Sequence, residues 1–195
     1  MIFTHTEVEG VVFVDIEPIG DHRGFFARSW CRREFAERNL ADCVVQANLA
    51  FTPQRGTLRG LHYQAAPYPE AKLVRCVRGA AYAVAVDIRP DSPTFTRWVG
   101  VELTADNRRM LYVPPGCAQG YQTLAAETEM FYQVSAFYVP QAARGIRHDD
   151  PAFGIRWPLE VRNLSPRDAS WPSFVTRKPS AVLACPERPQ GGPHA

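Results

Sequence analysis

His62 stands in the run Gly56-Thr57-Leu58-Arg59-Gly60-Leu61-His62-Tyr63-Gln64, three residues after Arg59 and ten before Lys72. An imidazole changes charge near neutrality and serves as a general base. The planar fork of an arginine donates two parallel hydrogen bonds to an anion. A lysine is a compact cation, suited to an oxygen that becomes negative during reaction. A base, an anion binder and a second cation so close together point to chemistry on a negatively charged substrate. Two kinds of protein fit this stretch. In one, a small β-barrel holds a metal; in the other, the same barrel does acid–base chemistry without one.

The other titratable ligand types favour the second. His5, His22, His148 and His194 show no ligand spacing, and the five cysteines (Cys31, Cys43, Cys76, Cys117, Cys185) include no Cys-x-x-Cys pair. A transition-metal site needs about three or four good ligands. The expectation is therefore no metal and no other cofactor. An odd, scattered set of cysteines also fits a reducing cytoplasm rather than a disulfide framework. Cys117, in a conspicuous turn, reads as a small buried thiol.

The elements that must position these residues are mostly strands. Tyr82 to Ile88 alternates bulky and small residues, and Trp98 to Leu103 and Arg109 to Val113 look similar. Glu129 to Tyr138 puts Met130, Tyr132 and Val134 on one face and Phe131, Gln133 and Ser135 on the other. Turns are expected at Arg89-Pro90-Asp91-Ser92-Pro93 and Pro114-Pro115-Gly116. Ser29 to Leu40 breaks the pattern and predicts one amphipathic helix, with Ser29 as N-cap and pairs Cys31/Phe35 and Glu34/Arg38 at i,i+4. A second short helix is expected after Ser165-Pro166-Arg167-Asp168. Many short strands with one or two helices predict an all-β sandwich or jelly roll. Residues 1–177 read as one domain, and the Pro-, Gly- and Ala-rich residues 178–195 as a disordered tail.

A chain of 195 residues is long enough for one sizeable core. Its formal net charge of +2 gives no strong field toward nucleic acid or membrane. The N-terminus lacks the basic and apolar regions of a signal peptide. No stretch approaches the ~20 apolar residues that span a bilayer. The expected setting is the cytoplasm, without a nucleic-acid or membrane partner.

His62-Tyr63-Gln64 and Pro114-Pro115-Gly116-Cys117-Ala118-Gln119 echo the two signatures of the cupin jelly rolls, with most metal-binding histidines missing. The resemblance then narrows. Asp21-His22-Arg23-Gly24-Phe25-Phe26, Val45-Gln46-Ala47-Asn48, the Gly56–Gln64 run, Lys72-Leu73-Val74, Val86 to Thr94, Gly145-Ile146-Arg147, Asp149-Asp150-Pro151 and Leu164 to Asp168 follow one another in a characteristic order. In this the chain resembles the dTDP-4-dehydrorhamnose 3,5-epimerases, metal-free cupins of nucleotide-sugar metabolism.

The resemblance implies a role for each matched residue. His62 would remove the proton beside the C4 ketone, with Asp168 orienting its ring. Lys72 would stabilise the enolate oxygen, and Tyr132 would return a proton from the opposite face. Arg23, Gln46, Asn48, Arg59 and Gln119 would contact the sugar or diphosphate, and Phe26 and Tyr138 would lie near the nucleotide or sugar. The resemblance also implies a homodimer that exchanges an N-terminal strand, so that Arg23 and Phe26 complete the partner's site. Taken singly, each residue has a plainer reading: Asp168 as a helix N-terminal residue, Tyr132 as a core side chain, Lys72 as surface charge.

Three departures from the family pattern stand out. Arg28 replaces an acidic residue, Gln119 replaces a histidine and His148 replaces a tryptophan. All fall in segments expected near the ligand, so substrate recognition is expected to differ more than proton transfer. The nearest alternatives are an epimerase acting at C3 or C5 only, on another nucleotide sugar, and a sugar-nucleotide-binding cupin without turnover.

Overall fold

Side-chain alternation decides where the strands form and which way they face. Thr128, Met130 and Val134 are buried while the intervening residues are partly exposed, the two-residue period of a strand with one inward face. The computed structural model describes residues 1–174. In chain order the strands are β1 (Ile2–His5), β2 (Val12–Asp15), β3 (Ile19–Asp21), β4 (Gly24–Phe26), β5 (Gln46–Thr52), β6 (Leu58–Gln64), β7 (Lys72–Arg78), β8 (Ala80–Asp87), β9 (Trp98–Thr104), β10 (Met110–Val113), β11 (Cys117–Thr123), β12 (Thr128–Val134) and β13 (Ala143–Gly145). The helices are α1 (Arg32–Ala36) and α2 (Pro166–Ala169). None is long and apolar enough to cross a membrane.

The strands form two facing antiparallel sheets. One runs β1-β2-β10-β7-β12-β5 and the other β13-β6-β11-β8-β9. A separate hairpin pairs β3 with β4. This is the all-β, cupin-type jelly roll expected, with two short helices. Between the sheets lies a core of small and medium side chains, among them Val74, Cys76, Ala83, Ala85, Leu103, Leu111 and Met130. The outer face of the five-stranded sheet carries Tyr82, Val84 and Val86, covered by Ile146, Phe153, Trp157 and Phe174. Cys117 is buried, as expected, and burial pushes its thiol up to about 12.

Two expectations need correction. The first helix is shorter than Ser29–Leu40: Cys31 is the N-cap, without a side-chain cap bond. Asn39, at φ 56°, turns the chain out of the helix. Phe35 anchors the short helix against Phe3 and Tyr112, at ring separations of 5.3 and 6.0 Å. Glu34 does not pair with Arg38, which donates to the Glu34 backbone carbonyl; the Glu34 carboxylate takes the N-terminal amine at 3.0 Å. The second correction is β12, which stops at Val134 rather than Tyr138. There the chain leaves the sheet, and the Tyr138 N–H donates to Gln46 Oε1 at 2.7 Å. The expected disordered tail, 178–195, lies outside the described residues.

Candidate active site

Strict alternation along β6 would put Arg59 and His62, three residues apart, on opposite faces. A bulge prevents this. Gln119 of β11 pairs with His62 and Tyr121 pairs with Arg59, so three steps on β6 match two on β11. Both side chains thus reach the same cleft. The bulge depends on glycine: Gly60 has φ +127°, and a Cβ there would lie 2.6 Å from the Gly120 Cα.

The facing wall obeys simple alternation. Lys72 and Val74 of β7, Tyr132 and Val134 of β12, and Gln46, Asn48 and Ala50 of β5 all face the cleft. Register places Tyr132 between Val74 and Asn48. His62 therefore lines the cleft from one sheet, and Lys72 and Tyr132 from the other.

Asp168 arrives from far along the chain. Backbone bonds pin the approach: Leu58 N–H donates to Asn163 O at 2.9 Å, and Arg162 N–H to Gly56 O at 3.1 Å. Ser165 then caps α2, its hydroxyl accepting from the Asp168 N–H at 3.1 Å, with Pro166 in the first turn. Asp168 Oδ1 comes 2.6 Å from His62 Nε2, while Oδ2 accepts the Gly60 N–H at 3.2 Å. Burial pushes the Asp168 carboxyl up, but the His62 ring, the Gly60 amide and the Trp171 indole outweigh it and hold it below its ordinary value. A neutral imidazole that donates from Nε2 to this carboxylate keeps its Nδ1 lone pair free to accept a proton.

The cleft has two lobes, of about 420 and 340 Å³, which share His62, Lys72, Tyr132 and Arg167. Asp168, Arg59 and Gln119 line the larger lobe. Gln46, Asn48 and Tyr138 line the smaller one. Four cations (Arg59, Lys72, Arg144, Arg167) face the cleft, against the carboxylates of Glu70 and Asp168. That balance suits an anionic ligand. Burial, then the Glu70 carboxylate, raise the Tyr132 phenol, so it is fully protonated at neutral pH and able to donate. The pieces allow a proton to leave on the His62 side and return from the Tyr132 side.

Arg23 and Phe26 do not line either lobe of this chain. They sit on the exposed β3–β4 hairpin, where Arg23 pairs with Asp21 at 2.6 Å. Of the three departures only Gln119 reaches the cleft. Arg28 is exposed elsewhere, and His148 offers its carbonyl to Trp157 Nε1 at 2.9 Å. Sequence reading passed over Glu70, Tyr121, Arg144 and Arg167. Arg167 had a usable signal, as the neighbour of Asp168 on the same helical turn. Among the described residues no three His, Cys, Asp or Glu side chains gather as metal ligands would.

Known proteins share both this sequence and this shape. The family model for dTDP-4-dehydrorhamnose 3,5-epimerase matches residues 5–176. The dTDP-4-dehydrorhamnose 3,5-epimerase of Sinorhizobium fredii is 43% identical over 176 residues, covering 89% of this chain and 90% of that protein. The crystal structure of the enzyme of that name from Elizabethkingia anophelis superposes with a TM-score of 0.87 at 32% identity, over 89% of this chain and 96% of that one. A dTDP-6-deoxy-D-glucose-3,5-epimerase from Legionella pneumophila, solved in complex with dTDP-4-keto-L-rhamnose, superposes at 0.81 with 38% identity, over 87% and 90% of the two chains. With family model, sequence relatives and superposed structures in agreement over nearly the same span, this chain belongs to the dTDP-4-dehydrorhamnose 3,5-epimerase family.

Proposed function

We propose that this protein epimerises a dTDP-linked 4-keto-6-deoxyhexose at C3 and C5, by removing the proton beside the C4 ketone and returning one on the opposite face. The observation that carries this reading is the placement of the His62–Asp168 pair on one wall of the cleft, opposed by Lys72 and Tyr132 on the other. A C–H beside a ketone is a weak acid. Its removal needs a base, His62, and a cation at the oxygen that becomes negative, Lys72. Inversion needs a donor on the other side of the ring, Tyr132. Asp168 holds the His62 ring in the tautomer that accepts at Nδ1.

Arg59, Gln46, Asn48, Gln119 and Tyr138 bind the sugar and its diphosphate, with the cationic lining in support. No step in this scheme calls for a metal or an organic cofactor. We also propose a homodimer in which the β3–β4 hairpin carries Arg23 and Phe26 to the partner's cleft. In support, the hairpin pairs with neither sheet, and Ile19 and Phe26 on it are 73% and 70% exposed. The scattered cysteines support a cytoplasmic setting.

The test is solvent exchange. Incubation with dTDP-4-keto-6-deoxyglucose in D2O should place deuterium at both C3 and C5, located by NMR. Label at a single carbon would make the protein a mono-epimerase, and no label with retained binding would make it a binding protein only.

A further inference from the structure

We propose that Trp171 is a positioning residue for proton transfer, acting on His62 through Asp168; this rests on the reading of His62 as the base. Trp171 Nε1–H donates to Asp168 Oδ1 at 3.3 Å, the same oxygen that faces His62 Nε2 at 2.6 Å. The Gly60 amide holds the other oxygen at 3.2 Å. Three donors thus fix the plane of one buried carboxylate, and only one of them is the base itself. Removal of the indole donor leaves Oδ1 bonded to His62 alone, free to turn about the Gly60 contact.

The indole has a built seat. Gly145 is the strand partner of His62 on β13. A Cβ on Gly145 would fall 2.3 Å from both Cε2 and Nε1 of Trp171. Gly145 does not occupy the left-handed backbone region, so the missing side chain makes room for the ring rather than for a turn. The Arg167 guanidinium lies 5.3 Å from the indole centroid, the range of a cation–π contact. Trp171 is therefore gripped by its neighbours while its N–H points at the carboxylate. A misplacement of the base by a fraction of an ångström is enough to slow proton transfer.

The test compares Trp171→Phe, which keeps a ring but loses the N–H, with Gly145→Ala, which closes the seat. Both should lower kcat about tenfold with KM changed less than about twofold. Both should also move the acidic limb of the kcat profile to higher pH, because Oδ1, relieved of the indole N–H, bonds more strongly to a ring that carries a proton on each nitrogen. In an Asp168→Asn background Trp171→Phe should have no further effect. Unchanged kcat and pH profile in Trp171→Phe would overturn the proposal. So would a loss that adds fully to that of Asp168→Asn, or a loss confined to Gly145→Ala. A wild-type protein that binds dTDP-4-keto-6-deoxyglucose without exchange would defeat the assignment of function instead. The positioning role is then judged by the NMR signal of the His62 ring proton shared with Asp168. A changed signal in Trp171→Phe supports it, and an unchanged one overturns it.

Discussion

Lys72 Nζ lies 3.2 Å from Glu70 Oε1, with the two side chains only 12% and 10% exposed. The lysine that faces the cleft is thus already paired in the free protein. Glu70 Oε2 is itself held by Gln64 Nε2 at 3.4 Å. Removing one member of such a pair strands the other charge away from water. Glu70→Gln is expected to cost about 3 kcal/mol of stability, read by urea denaturation. The same change should let the Tyr132 phenol titrate at lower pH, because the Glu70 carboxylate helps to raise it. An ultraviolet titration that leaves Tyr132 where it was would refute the coupling.

His62→Ala should reduce kcat about 10²–10⁴-fold while dTDP binding stays close to wild type. Asp168→Asn should give a loss of similar order, because an amide nitrogen turned toward Nε2 favours the wrong ring tautomer. The Asp168 carboxyl sits below its ordinary value, so it is charged throughout the neutral range. Its contribution is present at neutral pH and is lost only as pH falls through that depressed value. Calorimetry for binding and deuterium exchange for rate separate the two effects. A His62→Ala protein that exchanges normally would remove His62 from the mechanism.

Tyr132→Phe keeps the base and loses the opposing donor. Deuterium should still enter the substrate, now with retained configuration, while inverted product falls about 10²-fold. NMR of the recovered sugar reports both. Equal loss of exchange and inversion would mean that Tyr132 is not the second acid.

The stability of the fold should depend on Asp87 in acid. Burial pushes this carboxyl up, yet Arg89, Ser92 and Thr94 bring it down to about 2. A group held lower in the folded than in the unfolded chain stabilises at higher pH and ceases to do so as pH falls. About 2 kcal/mol should therefore vanish between pH ~4 and ~2. Urea midpoints followed across that range should show the slope in wild type. Asp87→Asn should flatten it, and an unflattened slope would assign the effect to other carboxylates.

The strands were legible where one face is packed and the other wetter, as in Trp98–Thr104 and Thr128–Val134, because alternation is a local property. His62, Lys72, Tyr132 and Asp168 do meet in one cleft, as the motif order implied. What sequence did not show is how. The bulge that turns Arg59 and His62 to one side exists only in the pairing of β6 with β11. Glu70 precedes β7 and enters the site through its ion pair with Lys72. Trp171, just beyond α2, reaches Asp168 only because Gly145 on β13 leaves space. The short first helix was misjudged for a related reason: its end is set by Asn39 and by the seat of Phe35 on Tyr112, a contact made across 77 residues of chain.

The His62–Asp168 bond spans 106 positions of sequence, and this has a consequence during synthesis. A growing polypeptide can pair every strand of both sheets before Asp168 has been added. Up to that moment it has a cleft, a lysine and a tyrosine, but an imidazole with nothing to hold it. A product stopped short of residue 166 would lack the carboxylate that fixes the ring, and its turnover should fall by about 10²–10⁴-fold. Turnover at the full rate therefore requires that translation has passed α2, since the base and the group that holds it are made 106 residues apart.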